Sequence, residues 1–460
     1  MSEFPWTEED ARQVMAAALG VTGDLESEVT LGGGSLALTR FANNRIHQNV
    51  REEWPRLGMR VILRSKDGVR VGSANTARLD KTGLRKLADN ATALAKLAAP
   101  VPTLPELAAK PAEGFEAVDA WDPQAADAGP ALRADRASRI VLPSRKAGMT
   151  AAGVFAVSRM SIGDYSHPGL FAMANSKGLF AYHRRTRVEC GCTIMTDDSS
   201  GWARADDWSY AKVDPEALAR RAIEKAERSK RPKGFEAGPT MVVLEPEAVA
   251  SLILFLLGSF SAQAVQEERS FLTGKLGERL FPRFVKLEDD CFHPLHRGRP
   301  FDGEGIPTRK VTLIDDGVAA GLVYSRAEAH ATTRDVQPTG HGPRQPSTVG
   351  SHPRFPVLAG GVETLQELVR EAGEGVLVTR LWYNRMVDTR RVRVTGMTRD
   401  GTFRIRGGKL AEGLRNLRYN VAVPDLLNNI VAASSPVRAG GMVVPALLVR
   451  DFPFTSSTRF

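Results

Sequence analysis

Three stretches of the chain concentrate side chains that can do chemistry. Asp289-Asp290-Cys291-Phe292-His293-Pro294-Leu295-His296 brings together carboxylates, a thiol and two imidazoles, the donor types that hold zinc. Pro294 prevents a regular helix from presenting both histidines, and the Cys-x-His spacing departs from the usual structural zinc pairs, so an exposed loop is expected. A displaced metal site built from Cys291, His293 and His296 is the alternative reading. Asp302 and Glu304 would share one face of an extended segment, as an acid/base pair requires, but the interleaved Gly303 and Gly305 favour a tight turn with hydrogen-bonding carboxylates. His341, within Pro338-Thr339-Gly340-His341-Gly342, is expected as a surface histidine rather than a proton shuttle.

Other chemistries lack their required residues. There is no Gly-x-Ser-x-Gly elbow, Walker loop or dinucleotide fingerprint, which removes serine-hydrolase, NTPase and Rossmann readings. Gly32-Gly33-Gly34 precedes a strand instead of a helix, so it reads as a flexible turn and not a phosphate cradle. Three cysteines cannot complete a disulfide framework, and Cys190 and Cys192 have strand spacing, so reduced thiols are expected.

The elements that must position these groups follow from periodicity and turn chemistry. Thr7 with Asp10 caps a helix ending near Gly20. Asn43-Asn44 and Asp67-Gly68 mark two hairpins, and Asp80 starts a helix with Leu84, Leu87, Leu94 and Leu97 at helical spacing, closed by Pro100, Pro102 and Pro105. A second β-rich block spans Val154 to Trp208, with Asn175 to Gly178 separating the strand-like runs Leu170 to Ala174 and Leu179 to Met195. The helix Asp214 to Arg231 closes it, with Glu224/Arg228 and Glu227/Arg231 on a solvated face. Beyond Pro239 lie one apolar helix, Glu247 to about Gln266, and many short strands, with hairpins at Asp316-Gly317 and Asp400-Gly401. Thr332 to Pro356 reads as a long mobile loop.

The class is therefore α+β: an N-terminal α/β domain (1–105), a middle β-rich domain (106–236) and a C-terminal, mainly antiparallel β-rich domain (237–460) with a buried helix. Val249 to Leu257 is about half of a bilayer span, and the start of the chain carries Glu3, Glu8, Glu9 and Asp10 where an export signal would be basic, so a cytoplasmic protein without a membrane segment is expected. The net charge of +9 is scattered and unaccompanied by a motif, so a nucleic-acid partner is not expected.

Several segments together resemble the TldD/PmbA metallopeptidase family: Arg40 to Gln48, Asn175 to His183, Gly201-Trp202-Ala203, Arg269 to Leu272, Phe301 to Thr308, Leu381-Trp382-Tyr383, Asn416 to Asn420 and Val444 to Phe452. They span nearly the whole chain in order. The resemblance implies that a TldD-like zinc peptidase carries His-Glu-x-x-x-His on the apolar helix, with a cysteine near the C-terminus completing the metal site. Counting back from Ser270 puts the two histidine positions near Ile253 and Gly258 and the glutamate near Leu254. No histidine lies between His183 and His293, and Ser434 to Pro445 contains no cysteine. Aliphatic side chains offer zinc no lone pairs, so the helix reads as a core element and the chain as a member of the PmbA or TldE-like branch.

The resemblance further implies a non-catalytic subunit of a TldD/TldE-type peptidase that degrades or processes unfolded peptides in a closed chamber. Zinc would come from a TldD-like partner and none would be held in this chain. Strand edges would hold extended peptide by backbone hydrogen bonds, and Arg269, Asp302, Glu304 and His341 would line the peptide channel or an interface. The alternative is a non-enzymatic protein, either a peptide-binding homodimer or a gyrase modulator.

Overall fold

The computed structural model describes residues 7–158, 170–332 and 335–458; Glu3 of the acidic start, part of the second β-rich block (159–169) and residues 333 and 334 of the expected loop lie outside them. Strands β1 (Glu26–Ala42), β2 (Arg45–Ser65), β3 (Gly68–Thr76), β4 (Thr150–Ser158), β5 (Leu170–Asn175), β6 (Phe180–Arg184), β7 (Arg187–Met195) and β8 (Ser200–Asp207) form one sheet in the order β3-β2-β1-β4-β7-β8. Strand β2 takes one flank of β1 while β5 and then β4 take the other, all antiparallel. Strands on both sides of residue 105 thus share one sheet.

Local chemistry explains most boundaries. Asn43 and Asn44 turn the β1–β2 hairpin with φ of 51° and 58°, values that asparagine tolerates. Helix α1 (Glu8–Gly20) begins at Thr7, whose hydroxyl accepts from the Asp10 N–H, and α2 (Lys81–Leu97) begins at Asp80, whose carboxylate accepts from the Gly83 N–H. Leu84 and Leu87 are buried on α2, but Leu94 and Leu97 face solvent, because the inward stripe continues through Ala91 and Ala95. Short helix α3 (Pro123–Ala126) leads into α4 (Pro130–Lys146), which sequence reading missed. Helix α5 (Pro215–Arg228) starts at Asp214 and packs on the sheet with α4; a Cβ on Gly201 would lie 2.1 Å from the Ala222 carbonyl oxygen, so β8 needs glycine there. Glu224 pairs with Arg228 as expected, whereas Glu227 takes Lys230, because Arg231 has left the helix at a φ of 53°.

Beyond residue 236 two sheets interleave. Strand β9 (Pro239–Leu244) is followed by α6 (Pro246–Leu257) and α7 (Ala262–Gln266), and then by β10 (Leu287–Asp289), β11 (Val311–Asp315), β12 (Val318–Ala319), α8 (Arg326–Ala331), β13 (Pro356–Leu358) and α9 (Leu365–Ala372). The hairpin of β14 (Gly375–Asp388) and β15 (Arg393–Arg406) precedes β16 (Lys409–Gly413), β17 (Leu417–Ala422), α10 (Val423–Asn428), β18 (Ile430–Ala433), β19 (Val437–Ala439), β20 (Met442–Val444) and β21 (Leu447–Ser457). One sheet runs β12-β11-β10-β13-β20-β19 and the other β14-β9-β21-β17-β15-β16, with β18 on β21. Their largest core gathers around α6, where Leu252, Ile253, Leu256 and Leu257 are buried, each worth about 1.5–3 kcal/mol.

Four expectations are corrected here. The single helix from Glu247 to Gln266 breaks into α6, a tight turn at Gly258–Phe260 and α7. Asp400-Gly401 is a bulge inside β15: two residues of β14, Val378 and Arg380, face Thr402 and Arg399, one residue further apart. Gly32-Gly33-Gly34 is strand, paired with Arg56, Pro55 and Trp54 of β2. The run from Leu179 to Met195 divides into β6 and β7.

Candidate functional site

A cleft of about 800 Å³ opens where three parts of the fold converge: Gly32, Gly33, Trp54 and Arg56 of the first hairpin, Leu254 and Leu257 of α6, and the loop segment from His341 to Arg354. Gly440 and Gly441, from the turn between β19 and β20, and Met442 at the start of β20 complete the rim. Alternation on α6 decides what the cleft meets. Ile253 is wholly buried in the core, Leu254 is 47% exposed and lines the cleft, and Gly258 is exposed where the helix ends.

Behind the loop lies a buried polar wall. His341 Nε2 is 2.8 Å from Asp289 Oδ1, and Nδ1 is 2.9 Å from the Thr339 carbonyl and 3.0 Å from its hydroxyl. Nε2 donates to the Asp289 carboxylate, and the Thr339 hydroxyl beside Nδ1 accepts the Tyr324 N–H at 2.8 Å and donates to the Tyr324 carbonyl at 3.2 Å. Asp289 also accepts from the Phe355 N–H at 2.7 Å; burial alone would raise its carboxyl, but His341 holds it below the usual range. His341 was expected at the surface and is only 3% exposed. The segment 335–355 contains no helix or strand, yet it is anchored by His341, by Gly342 N–H to Asp302 at 2.7 Å and by Ser351 N–H to Glu328 at 2.8 Å.

Asp302 and Glu304 flank that anchor. Asp302 accepts from the N–H groups of Glu304, Ile306 and Gly342, and burial raises its carboxyl despite them. Glu304 accepts from the Arg326 N–H at 2.9 Å; burial, with the Asp302 carboxylate beside it, pushes its carboxyl up to about 8. A Cβ on Gly342 would lie 2.2 Å from a Glu304 carboxyl oxygen, which ties this glycine to the wall. Neither carboxylate lines the cleft, although Gly303 between them does. Arg269 is elsewhere, exposed and paired with Glu267.

The cysteine–histidine segment is not the exposed loop expected. Cys291 is buried, its thiol pushed up by burial, and His296 is buried with Nε2 2.9 Å from the Pro356 carbonyl, its imidazole pushed down to about 3. His293 and His296 meet edge to face with ring centres 6.2 Å apart. Among the described residues, no group of three or more His, Cys, Asp and Glu is placed to hold a metal.

A zinc site needs several converging N, S or O donors. Along α6 the cleft meets leucine side chains, and His341 directs both ring nitrogens into the wall. Among the described residues lining the cleft, His341 and His352 alone have side chains of a common zinc-ligand type, too few for zinc.

Sequence reasoning missed Trp54, Arg56, Arg344, His352 and Arg354, all cleft-lining. Burial holds the His352 imidazole below its ordinary range. These residues come from strand β2 and the segment 335–355, far apart in the chain, and lie in no local motif.

Residues 237–456 match the family model of the PmbA/TldA metallopeptidase C-terminal domain, and residues 120–230 that of the PmbA/TldA metallopeptidase central domain. A metalloprotease of Methanothermobacter thermautotrophicus is 26% identical over 282 residues, 58% of this chain and 61% of that protein. Metalloprotease PmbA of Escherichia coli O157:H7 is 22% identical over 303 residues, 62% of this chain and 63% of that one. These matches span less than two thirds of either relative's length. The crystal structure of TldE from Thermococcus kodakarensis shares the fold, with a TM-score of 0.82 over 97% of this chain and 99% of that one at 20% identity. No helix of the described residues is long and apolar enough to cross a membrane.

Proposed function

Because the chain belongs to the PmbA/TldD metallopeptidase family, we propose that it is the non-catalytic, TldE-like subunit of a peptidase whose zinc is carried by a TldD-like partner. The observation that carries this reading is Leu254: near the position where the family resemblance puts the glutamate of the zinc motif, an aliphatic side chain lines the cleft. A leucine can neither bind an ion nor take a proton from water. The partner's zinc would supply a polarised water and carbonyl.

This chain's part is to bind and exclude. Trp54, Leu254, Leu257 and Met442 give the cleft an apolar lining suited to an unfolded segment, and β3, the edge strand of the first sheet, reaches it at Asn75, where extended peptide can pair by its backbone. The Asp289–His341 contact fixes the loop that forms the opposite wall. Folded proteins are excluded by size, and both subunits act in the cytoplasm.

Purification from the native host tests this reading. A TldD-like chain should co-purify, and the pair should digest an unfolded peptide that this chain alone leaves intact. Digestion by the isolated chain would overturn it.

A further inference from the structure

We propose that the cleft selects peptides through a carboxylate, with Arg354 and Arg56 as the recognising groups; the inference rests on the peptide-binding reading above. Among the described residues, four arginines line the cleft, Arg56, Arg299, Arg344 and Arg354, and no Asp or Glu does. Such a one-signed cleft with apolar walls focuses its field on whatever enters.

Neutralisation from behind is incomplete. Arg344 Nε donates to Glu28 at 2.7 Å, but Glu28 also receives Arg60 at 3.0 Å, so two guanidinium groups share one buried carboxylate. Among the described residues Arg354 has no ion pair: it donates to the Thr308 hydroxyl at 3.1 Å and the Gly340 carbonyl at 2.6 Å, and its buried Nε has no hydrogen-bond partner. Arg56 is exposed and donates to the Asn75 side-chain oxygen at 3.2 Å. The acidic groups nearest Arg354 feel its charge without forming an ion pair with it, their oxygens being taken by other donors, Asp289 by His341 and the Phe355 N–H, Asp302 by three backbone N–H groups. A guanidinium left in this state binds a carboxylate by short, charge-assisted hydrogen bonds.

The carboxylate has two possible sources in a peptide, the chain terminus and an acidic side chain. Fluorescence anisotropy with the isolated full chain at low salt separates them. One pair of unstructured peptides without acidic residues differs only in a free or amidated C-terminus; a second amidated pair differs only in one internal Glu or Gln. The carboxylate member of at least one pair should bind roughly tenfold more tightly, the scale of one charged hydrogen bond, and the pair that shows it names the source. Arg56→Gln, at an exposed position that folding tolerates, and Arg354→Gln should each erode that preference, while Arg354→Lys should retain part of it. Equal affinities within both pairs overturn the carboxylate inference and leave peptide binding standing. Failure of all four peptides to bind overturns both.

Discussion

His341 Nε2 and Asp289 Oδ1 lie 2.8 Å apart with neither side chain exposed, joining residues 52 positions apart in the chain. The contact turns a histidine at the cleft into part of its wall, and its worth lies in keeping a buried carboxylate compensated. Replacing His341 by Ala leaves Asp289 with the Phe355 N–H alone and should cost about 3 kcal/mol of stability. Urea unfolding measures this. A loss within experimental error of zero would show that the wall does not depend on the pair.

Neighbouring positions on α6 should respond very differently. Ile253→Ala opens a cavity in the core and should cost about 2–5 kcal/mol, whereas Leu254→Gln, facing the cleft, should change stability by about 0.5 kcal/mol or less. Thermal melts of the two variants decide whether the helix is rotated as described. Equal destabilisation would contradict it.

Glu304 gives a pH signature. Its carboxyl is raised from 4.5 to about 8, so between those values the folded chain holds a proton that the unfolded chain has released. Its contribution is complete below the unfolded value and is lost as pH rises towards 8, on the order of 5 kcal/mol at most. Glu304→Gln keeps an acceptor for the Arg326 N–H and removes the titration. Relative to the native protein, the variant should therefore gain stability between pH 5 and pH 8, and parallel pH profiles for the two would reject the assignment.

Asp206 ties the first sheet to the C-terminal part of the chain. It receives Arg438 at 2.9 Å and Arg187 at 3.3 Å, and although burial would raise its carboxyl, these two arginines hold it far below the ordinary range. Asp206→Asn removes the buried carboxylate that Arg187 and Arg438 share and should cost about 3–5 kcal/mol at neutral pH. Because the folded value is depressed, native stability from this group is present above the unfolded value and falls as acid approaches the folded one, so the variant should show a shallower acid loss. An unchanged acid profile would count against the network.

The features legible in the sequence were local. Thr7 and Asp80 cap helices, and Asn43-Asn44 turns a hairpin, because each acts on backbone within a few residues. Asp400-Gly401 misled because the residues that suit a turn also suit a bulge within a strand. Helix α4 escaped notice behind Pro130 at its start, Pro143 inside it and a weakly amphipathic, arginine-rich sequence. The family motifs led to α6 and to the absence of ligands on it, but the burial of His341 and Cys291 was invisible. Their partners, Asp289 with Thr339 for one and the surrounding fold for the other, are set by tertiary packing alone.

The most direct test of the account is zinc content and peptide hydrolysis measured on the same purified single chain, before and after addition of a TldD-like partner. The lone chain should lack stoichiometric zinc and leave an unfolded peptide intact, gaining digestion only with the partner. Stoichiometric zinc in the lone chain, with hydrolysis abolished by a chelator and restored by zinc, would contradict it.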